Sequence, residues 1–302
     1  MKNIRSKNSH FLFILYFFLI SKFVISQDFE ERYFAFEEDS LQVLFNKINV
    51  CTIDSEKIKL NDKVLELFEE ILYDEKSFTE TFDSLKWVGK LTSDDKLFRI
   101  YNWNLVFSDG SYKFYGFIQY YHKKKKLYLI YPLIDNSDKI IEPENKYLKC
   151  TNWYGALYYE IIENKYKQEK YYTLLGWDGN NNFTNKKIIE TLRFSKSGKP
   201  HFGINMFRIN KKRKKRIIYE YSNKAYMQLN YDKSKKMIIV DHLSPSQEKY
   251  KGNYQYYGPD FSLDGFTFKK GKWLLVEDLN IKRNKSNNLR WKYNPSEDIY
   301  KK

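Results

Sequence analysis

The chain has 302 residues, 53 Lys and Arg against 38 Asp and Glu, and a formal net charge of +15. Its 19% aromatic content excludes a disordered chain, 12 Gly and 6 Pro exclude a collagen-like or low-complexity one, and two cysteines exclude a disulfide-stapled miniprotein. A mean hydropathy of −0.69 with a single long apolar run excludes a multi-pass membrane protein, which leaves one or two globular domains with chain enough for a sizeable core.

Residues 1–26 read as an export signal. Lys2, Arg5 and Lys7 form a basic n-region, and Phe11 to Ile20 is an unbroken apolar run. That run matches a signal h-region and is too short for a span of roughly 20 residues. Val24-Ile25-Ser26 places tolerated residues before a cleavage at Gln27. An uncleaved anchor is the alternative, because Phe23 to Ile25 could extend the run. No cysteine lies near this site, so lipid attachment is not supported. The segment removes four basic residues and no acidic one, which leaves a mature balance of +11. Cys51 and Cys150 remain. In an oxidising compartment they are free to pair or to stay as separate thiols. There is no CxxC, hence no zinc ribbon or thioredoxin-type site.

Residues 27–86 read as a short helical N-terminal arm. Ser40 is a candidate N-cap before Leu41, Val43, Leu44 and Ile48. Val64, Leu65, Leu67, Phe68, Ile71 and Leu72 mark a second amphipathic helix opening at Asn61 or Asp62.

From about 87 to 283 the pattern is that of short strands. Candidates are Leu97–Trp103, Tyr112–Tyr121, Leu127–Ile134, Ala156–Ile162, Tyr171–Trp177 and Ile188–Phe194, then Arg216–Tyr221, Ala225–Asn230, Met237–Leu243, Tyr254–Tyr257, Phe266–Phe268 and Trp273–Glu277. Ser108-Asp109-Gly110, Asp178-Gly179-Asn180, Ser197-Gly198-Lys199 and Lys269-Lys270-Gly271-Lys272 have hairpin-turn chemistry. Connections this short force antiparallel pairing. The expected fold is therefore mainly β, an antiparallel meander closed as a sandwich, barrel or small propeller. The propeller draws on strands ending at Asp135, Asp178, Asp241 and Asp278, with two of three spacings close to a blade length. Residues 284–302 read as a polar tail.

Several segments carry a resemblance: Phe98-Arg99-Ile100-Tyr101-Asn102-Trp103-Asn104, Asn152-Trp153-Tyr154-Gly155-Ala156-Leu157-Tyr158-Tyr159 and Tyr171-Tyr172-Thr173-Leu174-Leu175-Gly176-Trp177-Asp178-Gly179. Asp241-His242-Leu243-Ser244-Pro245 and Tyr256-Tyr257-Gly258-Pro259-Asp260-Phe261-Ser262 complete the set. Together they resemble a group of uncharacterised exported proteins of the bacteroidete type over about residues 60 to 283. The resemblance implies a cell-envelope address and no particular chemistry.

Three constellations could carry function. Asp178, Asn180 and Asn182 have the D-x-N-x-N opening of a calcium loop, but Phe183 stands where Gly is needed and Ile189 stands at position twelve. Asp178, Asp241, His242 and Asp260, with Asp264 close by, are candidates for acid–base work at strand ends. Of the other mature histidines, His122 abuts a lysine run as a hairpin tip and His201 follows Lys199-Pro200 in a turn. Basic runs at Lys123–Lys126, Lys211–Arg216 and around Lys233, Lys235 and Lys236 fall between predicted strands. With the aromatics they have the ingredients of a nucleic-acid face, but an exported protein seldom meets nucleic acid. An anionic envelope component, a lipid headgroup or a polysaccharide, is the better partner. Trp103, Trp153, Trp177 and Trp273 are read as core rather than as sugar-stacking platforms. No cofactor-binding pattern, G-x-S-x-G, H-E-x-x-H or phosphate loop is present.

The sequence reads as an exported, non-catalytic binding or structural β module, with a carboxylate hydrolase of envelope polymers as the alternative. Export predicts that protein recovered from the envelope or the medium begins near Gln27. N-terminal sequencing of fractionated cells checks this, and an intact Met1 on cytoplasmic protein overturns it.

Overall fold

A computed structural model of the chain describes residues 33–280. The segments read from the sequence as an export signal, 1–26, and as a polar tail, 284–302, lie outside the described residues. The chain divides into two units, residues 1–36 and 37–302, and the architecture below is that of the second.

Two helices come first, α1 (Ala35–Val50) and α2 (Asp54–Tyr73). Apolar residues at helical spacing give each one buried stripe: Leu41, Phe45 and Ile48 on α1, then Val64, Phe68, Ile71 and Leu72 on α2. Both begin earlier than the capping residues suggested. Ser40 lies inside α1. Asn61 lies inside α2 and is fully buried, its Oδ1 accepting the Trp103 indole N–H at 2.7 Å. The first turn of α2 instead carries Asp54 and Glu56, which suit the positive end of the helix dipole.

The rest is mainly β. The first sheet is a meander of β1 (Gly89–Thr92), β2 (Phe98–Val106), β3 (Tyr112–His122) and β4 (Leu127–Ile134). A middle sheet holds β5 (Leu148–Lys149), β6 (Leu157–Tyr166), β7 (Glu169–Asp178), β8 (Thr184–Phe194) and β9 (Pro200–Phe202) in the order β5-β9-β8-β7-β6. β10 (Phe207–Ile209) and β11 (Lys212–Lys214) open a third sheet. β12 (Ile217–Ser222) returns to pair with β8. β13 (Leu229–Asp232), β14 (Met237–Pro245), β15 (Tyr257–Lys269) and β16 (Lys272–Val276) complete the third sheet in the order β11-β10-β16-β15-β14-β13. β10 and β16 run parallel; the other named pairs are antiparallel.

These sheets stack in a sandwich-like arrangement. On one face of the middle sheet, Tyr158, Tyr172, Leu174, Ile188 and Leu192 pack with Phe98, Ile100, Phe114 and Ile118 of the first sheet. On its other face, Ile162, Leu175, Ile189 and Ile217 pack with Leu229, Ile238, Val240, Phe266 and Trp273 of the third. Adjacent residues such as Leu174 and Leu175 therefore enter different cores, as the two-residue period of a strand requires. The helices cover the outer face of the first sheet. There Phe68 sits edge-on to Tyr101 and Phe117 at centroid distances of 5.0 and 6.0 Å, and Phe45 edge-on to Trp103 at 5.9 Å.

Several expectations are corrected. The Asp-terminated strands belong to stacked sheets and not to propeller blades or a closed barrel. Tyr254–Tyr256 is a 3-10 turn, and Phe266–Phe268 is part of the single long β15. β1, β5, β9, β10 and β11 are too short or too polar to show strand periodicity. His122 is buried rather than a solvated tip, and His201 lies within β9 rather than in a turn. Cys51 and Cys150 are free thiols; burial pushes the Cys150 thiol up to about 12. Trp103, Trp153, Trp177 and Trp273 are all buried.

If the helices are part of the cooperative unit, Phe68→Ala should cost about 3–5 kcal/mol. Urea denaturation checks this. A loss below about 1 kcal/mol would show that the helices do not share that unit.

Candidate functional site

The register of the sheets gathers six turns at one end of the strands. In the first sheet Phe98 pairs with Tyr120, which puts turns 93–97 and 122–127 side by side. In the middle sheet Tyr172 pairs with Leu192, which puts turns 163–170 and 195–199 together. In the third, Met237 pairs with Thr267, which puts turns 232–236 and 269–272 together. Contacts between layers tie the groups to one another. Lys170 Nζ lies 2.7 Å from Asp95 Oδ2. Gly198 leaves no room for a Cβ against the rings and methyls of Tyr120 and Leu129, and its φ of +84° suits glycine. Gly271, at φ +75°, lies against the Tyr166 ring.

These six turns, counted with the strand ends that flank them over the residue ranges just given, hold sixteen lysines, no arginine and five acidic residues, a net +11. Residues 33–280 as a whole carry 41 basic and 33 acidic residues, a net +8. All other described residues together are therefore −3. Fifteen of the sixteen lysines are exposed; Lys272 is half-buried and donates to the Asn205 carbonyl at 2.7 Å. Lys170 is shared by Asp95 and Glu163, and Lys235 is paired with Asp232. Leu127 and Tyr166 are exposed among these charges at 41% and 36%.

Two of the three basic runs read from the sequence, Lys123–Lys126 and Lys233–Lys236, lie on this end. The third does not. Lys212–Lys214 form a strand, and their turn lies toward the Val276 end of β16. Lys214 pairs with Glu144. Arg216 is not a charge at a tip: it is fully buried, paired with the equally buried Glu190 and bonded to the Pro143 carbonyl. Glu190 Oε1 also accepts the amides of Thr191 and Gly203. Its lone pairs are thereby used, which a buried ion needs.

The candidate acids divide between sheets. Asp178 ends β7 in the middle sheet, and Asp241, His242 and Asp260 lie on β14 and β15 in the third. Asp178 is buried, accepts the Asn180 amide at 2.7 Å and lies 3.8 Å from Lys186 Nζ. Burial raises its carboxyl to about 6, against the pull of Lys186 and Asn180. Asp241 accepts the Gln228 amide at 2.8 Å. A bulge between Asp241 and Leu243 turns His242 outward, 2.8 Å from Asp264 and 3.9 Å from Asp260. The Asp264 hydrogen bond raises the His242 pKa. Asp260 also accepts the amide and hydroxyl of Ser262.

The calcium-loop residues are turned to separate tasks. Asn180 Oδ1 accepts Lys186 Nζ, its Nδ2 donates to Thr184 and Glu220, and Asn182 Nδ2 donates to the Asp109 carbonyl at 2.9 Å. At this strand end, opposite the lysine turns, an open cleft of about 440 Å³ is edged by Glu142, Glu144, Tyr154, Lys186, Glu220 and Tyr254. Among the described residues no helix is long and apolar enough to cross a membrane, and no group of three His, Cys, Asp or Glu is arranged to hold a metal ion.

Sequence reasoning missed the lysines at 96, 165, 167, 196 and 199 as part of a surface, because each turn alone looks like an ordinary solvated tip. No family model, no curated protein and no solved structure matches the chain.

Asp178 yields a pH test. Its folded pKa lies above its unfolded value near 3.8, so the native state holds the extra proton and stability falls as pH rises from about 4 to about 6. Asp178→Asn should flatten that decline by roughly 2 kcal/mol, read from denaturation midpoints across the window. An unchanged profile would show that Asp178 does not titrate there.

Proposed function

We propose that this is an exported cell-envelope module that binds rather than cleaves, and that its basic end seats on an anionic lipid surface. The observation that carries the reading is the polarity of charge: +11 on six turns and −3 on the remaining described residues. A lysine close to an anionic leaflet contributes about 1 kcal/mol, and the attraction reaches only about 8–10 Å at physiological salt. Sixteen lysines on one end can therefore act together, where the same number scattered over the molecule could not.

Lipid is favoured over polymer for two reasons. Ammonium groups are hydrated point charges without the planar fork that reads individual anions, so an all-lysine array suits a diffuse anionic plane. Leu127 and Tyr166 add exposed apolar and amphipathic groups among the charges, and tyrosine favours the membrane–water interface. Binding is favoured over hydrolysis by the placement of the acids. Two-carboxylate hydrolysis needs acids roughly 5–10 Å apart across a cleft. Asp178 and Asp241 are buried on different sheets and hold main-chain amides, Asp260 braces its own turn, and Asp264, the other acid beside His242, is buried and holds the His242 ring and the Asp278 amide.

Sedimentation with phosphatidylglycerol vesicles should retain the mature chain in low salt and release it as salt rises, while phosphatidylcholine vesicles should not retain it. A Lys124→Gln/Lys167→Gln/Lys235→Gln/Lys270→Gln variant should bind at least about tenfold more weakly, with unchanged circular dichroism. Equal binding to both vesicle types overturns the reading, as does retention by polygalacturonate with none by either vesicle.

A further inference from the structure

Three adjacent strands of the middle sheet run in register at its β5 edge. Leu148 pairs with Phe202, and Phe202 with Leu192; all three lie in the core shared with the first sheet. One residue along, Lys149 pairs with His201, and His201 with Arg193. By strand alternation this second row faces away from that core. Lys199 lies two residues before His201 and takes the same face. Directly opposed side chains on neighbouring strands stand about 5 Å apart at Cβ.

The row has no counter-charge. Among the described residues none of Lys149, Arg193, Lys199 and His201 forms an ion pair with a carboxylate. Arg193, Lys149 and Lys199 all act on the His201 ring and, with its burial, lower its pKa. Two nitrogens in the row, Arg193 Nε and His201 Nδ1, are buried without a hydrogen-bond partner. Tyr147, 45% exposed, stacks on the His201 ring at 5.2 Å and 23°. Lys149 and Arg193 repel each other from either side of the His201 strand, and each unsatisfied buried polar group costs about 1–3 kcal/mol. Both penalties would be relieved by one anion.

We propose that Lys149, Arg193, Lys199 and His201 form a binding site for a phosphoryl group, carried by a soluble phosphate monoester or by a phospholipid headgroup. A terminal phosphoryl group presents three acceptor oxygens. It can take the Arg193 Nε–H, the His201 ring N–H in its Nδ1 tautomer and a lysine ammonium at once, where a carboxylate has only two oxygens. Tyr147 holds the imidazole plane from the open side. The site shares Lys199 with the 195–199 turn but does not depend on bilayer docking, since it needs these four side chains and not the other fifteen lysines of the basic end.

The test uses the mature chain and three probes: inorganic phosphate, glycerol 3-phosphate, and phosphatidic acid in otherwise phosphatidylcholine vesicles. Calorimetric binding of inorganic phosphate or glycerol 3-phosphate should weaken about tenfold or more in Arg193→Gln and in His201→Gln, and be unaffected in Lys124→Gln/Lys167→Gln/Lys235→Gln/Lys270→Gln; if the headgroup is the source, vesicle binding should weaken in the two row variants as well. Proton resonances of the His201 ring, assigned by their loss in His201→Gln, should shift on saturation. Binding of glycerol 3-phosphate but not of the vesicles identifies a soluble ester as the source; row-dependent binding of the vesicles identifies the headgroup. If no probe moves the His201 signals, or if binding survives both row substitutions in folded protein, the site is refuted. Loss of vesicle binding only in the lysine-turn variant would refute it for headgroups and leave the bilayer reading standing.

Discussion

The central strands of the middle sheet are covered on both faces, and the rest of the molecule follows from that. β7 and β8 must be apolar on both sides, so Leu174 and Ile188 enter one core while Leu175 and Ile189 enter the other. A slip of one residue would exchange the cores of every strand in the sheet. Register is therefore held by the side chains on both faces at once. The same burial explains why Arg216 and Glu190 occur together. Either one alone would be an unpaired ion between packed layers, which is far costlier than the pair. The pair joins β12 to β8, and the bond from Arg216 to the Pro143 carbonyl fixes the segment before β5 over it.

Once register is held, the ends of the strands are held as well. Antiparallel pairing sends alternate turns to opposite ends, and stacking the sheets brings turns from different layers together. That geometry turns short lysine-containing connections into one basic end and leaves the cleft edged by Glu142, Glu144 and Glu220 at the other. A soluble domain can carry a dense patch of like charge when the groups are at turn tips, where water and salt screen them. The row at Lys149, His201 and Arg193 differs because it lies along strands rather than at tips, and Arg193 Nε and His201 Nδ1 are buried.

Much of the fold was legible because hydrophobic alternation is local. Leu127–Ile134 falls where it was expected to the residue, and the turns at Ser108-Asp109-Gly110 and Ser197-Gly198-Lys199 connect the strands they were assigned to. The helices were legible by period but not by their starts, since Asn61 serves Trp103 across the packing interface rather than capping its own helix. The short strands were illegible because two or three residues hold no period. Lys212–Lys214 reads as a charge run in sequence and is an edge strand in the structure because Phe207–Ile209 supplies its hydrogen-bonding partner.

By itself the sequence determined the class of protein: alternating aromatic and β-branched runs with glycine turns make an antiparallel sheet, since those residues suit a pleated, half-buried surface and the turns permit only reversal. Its charge excess was equally plain. Only the tertiary structure decided where that charge goes. Lys124, Lys167, Lys235 and Lys270 are far apart in the chain and share an end because three sheets stack with their hairpins aligned, and Arg216, five residues from the run's first lysine, was taken out of the surface altogether. Composition counts charges, whereas the field at a surface depends on which of them are neighbours, and that is set by long-range pairing no local pattern contains.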